Sequence, residues 1–325
     1  MTQTATQLAQ RLASGKPLVI VETAPPPGAD PAALREAAGC YAGKVDALAL
    51  SDNRDRVSMS ALAAAAIVAG EGLEPILHVT TRDRNRIALV SEALGACALG
   101  VRNLLCTSGT HQTLGPFRAA RNVYDIDAVQ LLRAYSGLAD DGSLVGQAGF
   151  AGAGGLCLGA AASPAADPLE LQLSRLEKKV AAGAKFLVTQ PIWDLERFDA
   201  WWREVCGRGL HERVAILAAV RPLGAEDLAG PSQGKPPSER IPPALLQRVA
   251  SADGAAARRA VALDVALETV QRLAGVAGLR GWSFSADGDT QAVAEILDRS
   301  GVRSSSSAAP ARGSPARPQN VKGSS

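Results

Sequence analysis

Eight short apolar runs recur along this chain. Each is followed by polar or Gly/Pro residues and then by an Ala/Leu-rich stretch of helical character. The runs are PLVIVET, VDALALS, EPILHVT, NLLCTS, GLCLGAA, KFLVTQP, VAILAAV and LRGWSFS. Most are apolar at every position instead of alternate ones, as expected of strands covered on both faces. The intervening stretches predict helices that include 31–41, 58–70, 87–99, 128–138, 169–183, 196–206 and 255–273. Asp30-Pro31 and Asp167-Pro168 each supply a capping carboxylate ahead of a first-turn proline. After the second, Leu169, Leu173, Leu176 and Val180 fall on one stripe, and Gly183 ends the helix. Eight such units in one domain, residues 1–301, fit a (β/α)8 TIM barrel of the α/β class. A doubly wound open sheet is the competing arrangement.

A barrel places its chemistry where strands end and βα loops begin. Those positions are Glu22; Ser51, Asp52 and Asn53; His78 to Arg86; Thr107 to Gln112; Ala161 to Ser163; Thr189 and Gln190; Arg221; and Phe284. Neither GxGxxG after a strand nor GxxxxGK[ST] occurs, and Gly152, Gly154 and Gly155 precede a strand, which reads as a plain turn. Three histidines without HxH or HExxH spacing give no metal site, and there is no GxSxG elbow. What remains is a set of neutral donors and acceptors with one isolated acid, Glu22. It suits holding an organic cofactor and managing one proton.

Other features bound the setting. No apolar run approaches the roughly 18–20 residues that cross a bilayer. The N-terminus lacks an apolar signal core and reads as a short amphipathic helix, so a cytoplasmic location is expected. Five cysteines without CxxC spacing are expected as unpaired thiols. The net charge of +2 owes four cations to Arg303, Arg312, Arg317 and Lys322, which leaves the rest of the chain slightly acidic and argues for no nucleic acid. Residues 302–325, rich in Ser, Ala, Pro and Arg, read as a disordered tail. The Pro/Gly-rich segment 222–243 reads as a long loop without a core of its own.

ETAPPP, DALALSDN, LHVTTRDRNR, CTSGTHQTLG and RLEKKVAAGAKFLVTQPIWD resemble, in order and spacing, the blocks of methylenetetrahydrofolate reductases. The shorter bacterial and acetogen-type flavoprotein members are the nearest in style, and the resemblance covers roughly residues 15–220. It implies a barrel that uses NAD(P)H and a flavin, FAD before FMN, to reduce 5,10-methylenetetrahydrofolate to 5-methyltetrahydrofolate for one-carbon metabolism and methionine biosynthesis. Glu22 would then be the proton donor, and apolar PLVIV, the prolines and a stacked flavin would desolvate it. The resemblance further implies flavin contacts at Ser51, Asn53, His78, Ser108, Gly109, Thr110, Tyr124, Asp125, Ser163 and Lys179. It implies folate or nicotinamide contacts at Gln190 and Thr110. The cluster Arg82, Arg84 and Arg86 would either meet a diphosphate or sit solvated at a helix start. One departure stands out: the family reads Gly-Asp after the fourth strand, where this chain has Gly109-Thr110. That substitution keeps open a second reading, a catalytically altered folate- or flavin-binding subunit of a larger complex. A homo-oligomer or a partner subunit is left open as well.

Overall fold

Every apolar run forms a strand: β1 Leu18–Thr23, β2 Ala47–Leu50, β3 Pro75–Thr80, β4 Asn103–Thr107, β5 Cys157–Ala162, β6 Phe186–Pro191, β7 Ala215–Val220 and β8 Gly281–Ser285. The structure, a computed structural model, describes residues 5–54, 56–114, 118–144, 147–228, 241–285 and 289–302. Neighbouring strands pair in parallel and in sequence order, and the sheet closes on itself. Closure joins β1 to β8, with Leu18 opposite Gly281 and Glu22 opposite Ser285. The open-sheet alternative is thereby excluded.

The barrel interior is packed. Leu18, Ile20, Ile76, Leu105, Phe186 and Leu217 meet there, with small residues such as Ala47, Ala49 and Ala215 between them. Phe186 fills space that Gly159 leaves, since a Cβ on Gly159 would lie 2.3 Å from the ring. A larger cluster occupies the layer between strands and helices. Its stripe from α6, Leu169–Ala181, is the expected one: Leu173 and Leu176 are buried, and Leu169 and Val180 pack against them.

The N-terminal helix α1, Gln7–Ala13, seals the bottom mouth. Leu8 joins the interior cluster. The Thr6 hydroxyl accepts from the Ala9 amide at 3.0 Å and donates to Asn103 at 2.7 Å. Glu74 accepts from both Leu8 N–H and Asn103 Nδ2. Arg11 pairs with the buried Asp46 at 3.0 Å, and Arg280 donates to the Leu12 carbonyl. With the floor braced in this way, access to the barrel is from the C-terminal mouth.

The outer ring continues with α2 Ala32–Tyr41, α3 Ala61–Gly70, α4 Arg86–Ala98, α5 Ala128–Asp141, then α6, α7 Leu195–Gly207 and α8 Leu210–Arg213. It closes with α9 Ala225–Leu228, α10 Pro243–Ala250, α11 Gly254–Ala274 and α12 Thr290–Ser300. Asp30 accepts from the Ala32 amide as expected, but the Asp167 carboxylate is taken by Arg197 and caps nothing. The segment 222–243 differs from its reading as a coreless loop. Leu223, Leu228 and Ile241 join Trp193, Leu245, Val249 and Val265 in a satellite cluster, and Arg221 and the buried Asp227 form a bidentate pair. Residues 229–240 and the tail from 303 lie outside the described residues. The five cysteines are unpaired. No described helix is long and apolar enough to cross a membrane.

Barrel closure makes one position intolerant. Gly281 has φ +142°, and a Cβ there would lie 2.0 Å from the Leu18 carbonyl oxygen, a backbone atom that cannot step aside. Gly281→Ala is expected to cost about 3 kcal/mol or more, combining overpacking with backbone strain. Urea unfolding measures this, and an unchanged midpoint would show that the β1–β8 seam yields.

Candidate functional site

A cavity of about 640 Å³ opens at the C-terminal mouth. Its wall includes Glu22, Ser51, His78, Ser108, Gly109, Thr110, Ser163, Lys179 and Gln190. These residues come from six different strand ends and from α6, and barrel closure brings them together.

Glu22, half-buried at the exit of β1, faces the Arg54 guanidinium at 3.6 Å. His78 interrupts the otherwise fully buried β3. Its Nε2 is buried and has no hydrogen-bond partner among the described residues. Burial lowers the His78 pKa, partly opposed by the negative charges of Glu22 and Asp52. A lowered value leaves the imidazole neutral near pH 7.

Of the arginines after β3, Arg82 and Arg84 are held by acceptors on neighbouring loops, whereas Arg86 is 64% exposed at the start of α4, as in the solvated reading. The Arg82 side chain is 8% exposed and pairs with Asp83 at 2.7 Å. It also donates to the Asn53 carbonyl at 3.0 Å and the Thr110 carbonyl at 3.2 Å. Arg84 forms an ion pair with the buried Asp52, which also accepts from the Thr80 amide at 3.1 Å. Arg86 holds Asp125 through its backbone and side chain at 2.8–3.0 Å. Those bonds pull the Asp125 pKa down to about 2.

The loop after β4 needs its glycine. Gly109 has φ +77°, and a Cβ there would lie 2.3 Å from Thr80 Cγ2 and 3.2 Å from Arg82 Cβ. Ser108 accepts from the Ala128 amide at 3.2 Å, so it helps to start α5, whose capping box is Asp127 with Gln130. The Tyr124 hydroxyl reaches the Gly109 carbonyl at 3.4 Å, and its ring stacks on His111 with centroids 6.4 Å apart.

Lys179 leaves α6 to reach the cavity, and its Nζ donates to the Ala161 carbonyl at 2.6 Å. Burial first, then the charge of Arg175, pushes its pKa down to about 8. Gln190 owes its place to an irregularity in β6. Pairing with β7 shifts between Val188 and Pro191, and the Thr189 hydroxyl accepts the Ala219 amide at 2.9 Å. Such a bulge re-aims a side chain. Gln190 Oε1 is buried at the wall without a partner among the described residues.

Three of the residues singled out in the sequence are not part of the wall. Asn53, at φ +47°, accepts from the Ser58 amide and braces its own loop. Tyr124 and Asp125 hold neighbouring loops as described above. Sequence reasoning missed Arg54 and Arg175, which line the cavity, and the bracing role of Arg82. Arg54 carried a usable signal, since it directly follows the polar strand exit Ser51-Asp52-Asn53.

The fold is shared widely. A protein from Clostridium thermocellum described as binding two copies of 5-methyl-5,6,7,8-tetrahydrofolic acid is similar with TM-score 0.60 at 12% identity, over 91% of this chain and 100% of that one. Oxaloacetate acetylhydrolase in complex with 3,3-difluorooxalacetate is similar with TM-score 0.52 at 13% identity, over 90% and 84%. At such identities these likenesses establish the barrel and nothing finer. The sequence itself is more specific, because the family model of methylenetetrahydrofolate reductase matches residues 7–301. That match takes in all eight strands, the sealed floor and every residue of the cavity wall: the chain belongs to the methylenetetrahydrofolate reductase family.

Proposed function

We propose that this protein reduces 5,10-methylenetetrahydrofolate to 5-methyltetrahydrofolate, with NAD(P)H as reductant and bound FAD as hydride carrier. FMN is the second choice of flavin. The observation that carries the reading is the convergence of Glu22, neutral His78 and Gln190 on one cavity, where His78 Nε2 and Gln190 Oε1 have no partner among the described residues. A buried polar atom left unpaired costs about 1–3 kcal/mol, and a polar heteroaromatic ring supplies what both lack. Lys179 and Arg175 bring two cations to one side of the wall, beside the Asp127 cap of α5, and suit a flavin's phosphates. Ser51, Ser108, Gly109, Thr110 and Ser163 would line its path, and Asn53, Tyr124 and Asp125 would act from the supporting loops.

When bound, the flavin would accept hydride from the nicotinamide and return it to the folate. The chain's own tasks are fewer. Glu22 donates a proton to the folate nitrogen at which the methylene bridge opens. Gln190 and Thr110 orient the pterin or nicotinamide, and the apolar barrel beneath excludes water. A cytoplasmic setting suits five unpaired thiols. The second reading, a folate- or flavin-binding subunit that needs a partner for turnover, is favoured by uncharged Thr110. The relative that binds two copies of 5-methyltetrahydrofolate also suits it.

Visible absorbance of the purified protein, followed by anaerobic NADH or NADPH and then folate, separates these readings. The enzyme is expected to be yellow, to bleach with nicotinamide and to recover colour with 5,10-methylenetetrahydrofolate. Colour without recovery supports the binding subunit, and a protein that stays colourless with either flavin overturns the proposal. Glu22→Gln is expected to spare bleaching and to slow recovery by roughly 10²- to 10⁴-fold, the range of a positioned general acid. Equal damage to both half-reactions would remove Glu22 from the proton-donor role. Lys179 adds a pH dependence. It is charged below about 8 and neutral above, so flavin affinity should fall as pH rises through about 8. Lys179→Met should bind flavin weakly at pH 7 with that dependence gone, as read by fluorescence titration.

A further inference from the structure

The Gly109–His111 turn is pinned at two successive carbonyls, by Tyr124 from beyond the cavity wall and by Arg82, which is itself part of that wall. Tyr124 Oη donates to the Gly109 carbonyl at 3.4 Å, and Arg82 Nη1 donates to the Thr110 carbonyl at 3.2 Å. A trans peptide points the next N–H opposite to its carbonyl. The Thr110 and His111 amides are therefore turned away from Tyr124 and Arg82. Neither amide has an acceptor among the described residues, yet both residues line the cavity. An amide left without a protein acceptor calls for one from solvent or ligand.

Arg82 is placed to enforce this geometry. The same guanidinium binds the Asn53 carbonyl after β2 and Asp83 after β3, and its own carbonyl accepts the Val123 amide at 2.7 Å. It thus ties together the loops after three consecutive strands. Beneath the turn, Gly109 in its left-handed conformation leaves no space for a side chain against Thr80. The turn is held from below by packing and at its carbonyls by two side-chain donors.

We infer that Arg82, assisted by Tyr124, is a positioning residue that presents the Thr110 and His111 amides to the electron-rich edge of the ring bound in the cavity. The inference rests on the flavin reading above. Flavin reduction places negative charge on the pyrimidine edge, and fixed amide dipoles favour the reduced form over the oxidised one. In this chain, which lacks a carboxylate at 110, the turn's backbone and Arg82 set the local polarity.

The test uses the full chain loaded with flavin and reads affinity and midpoint potential. Arg82→Gln is expected to weaken flavin binding about tenfold and to lower the potential by about 30 mV, which for a two-electron couple is a tenfold loss of preference for the reduced form. Tyr124→Phe removes one hydroxyl at a partly exposed position outside the core, so it tests the turn without threatening the fold. It is expected to shift the potential in the same direction by less. A purely structural Arg82 would lower the melting temperature and leave the potential of the flavin-bound fraction unchanged. That result, or wild-type potentials in both variants, overturns the inference. A wild type that takes up no flavin fails earlier and counts against the proposed function itself.

Discussion

Closure of the sheet between β1 and β8 is the constraint on which the rest depends. It turns eight strand exits that are far apart in sequence into the rim of one mouth. Glu22 and Ser285 become direct neighbours across the seam, and both line the cavity. The helix α1 completes the constraint from the other end. With Leu8 in the floor and Arg11, Glu74, Asn103 and Arg280 bracing it, the interior can be packed below and hollow above.

The mouth is stiffened chiefly by arginines. Arg82 joins the loops after β2, β3 and β4, and Arg84 ties the third loop to Asp52 of the second. Arg86 fixes the start of α4 to Asp125, Arg197 holds the Ala165–Asp167 turn, and Arg221 holds Asp227. A planar, permanently charged fork suits this task, because it can engage two acceptors on different loops at once. Buried pairs such as Arg84–Asp52 and Arg221–Asp227 add little net stability over apolar packing, but losing one partner strands a charge. Their effect is to reduce the number of shapes the loops can take. The cavity wall is then ready before a ligand arrives, so less ordering is needed on binding.

How much was legible followed from where the information lay. Strands such as VAILAAV and PLVIVET announced themselves because burial on both faces leaves a continuous apolar string, and their spacing fitted a barrel. Strand-end residues followed once the strands were placed, which is why Glu22, His78 and Gln190 could be named in advance. The satellite cluster could not be read, because Trp193, Leu223, Ile241 and Val265 are isolated apolar residues in separate segments. The bracing contacts of Arg82, Arg84 and Arg86 could not be read for a similar reason. Their acceptors, the Thr110 carbonyl, Asp52 and Asp125, lie on other loops, and one of them is a backbone atom that every residue carries. The bulge that presents Gln190 has no sequence signature beyond a threonine whose hydroxyl replaces a ladder contact.

The seam at Gly281 also bears on how the chain emerges from the ribosome. The first strand made is paired on one side by the last, and the Leu12–Arg280 contact in the floor spans 268 residues of sequence. Until Gly281–Ser285 has been translated, one edge of β1 has no native partner. At ~5–20 residues per second that interval is roughly 10–50 seconds. An unpaired strand edge that is apolar over most of its length is a template for association with other chains. Cellular yield of this protein should therefore depend on what shields Leu18–Thr23 during synthesis, a demand on its biosynthesis that is separate from its final stability.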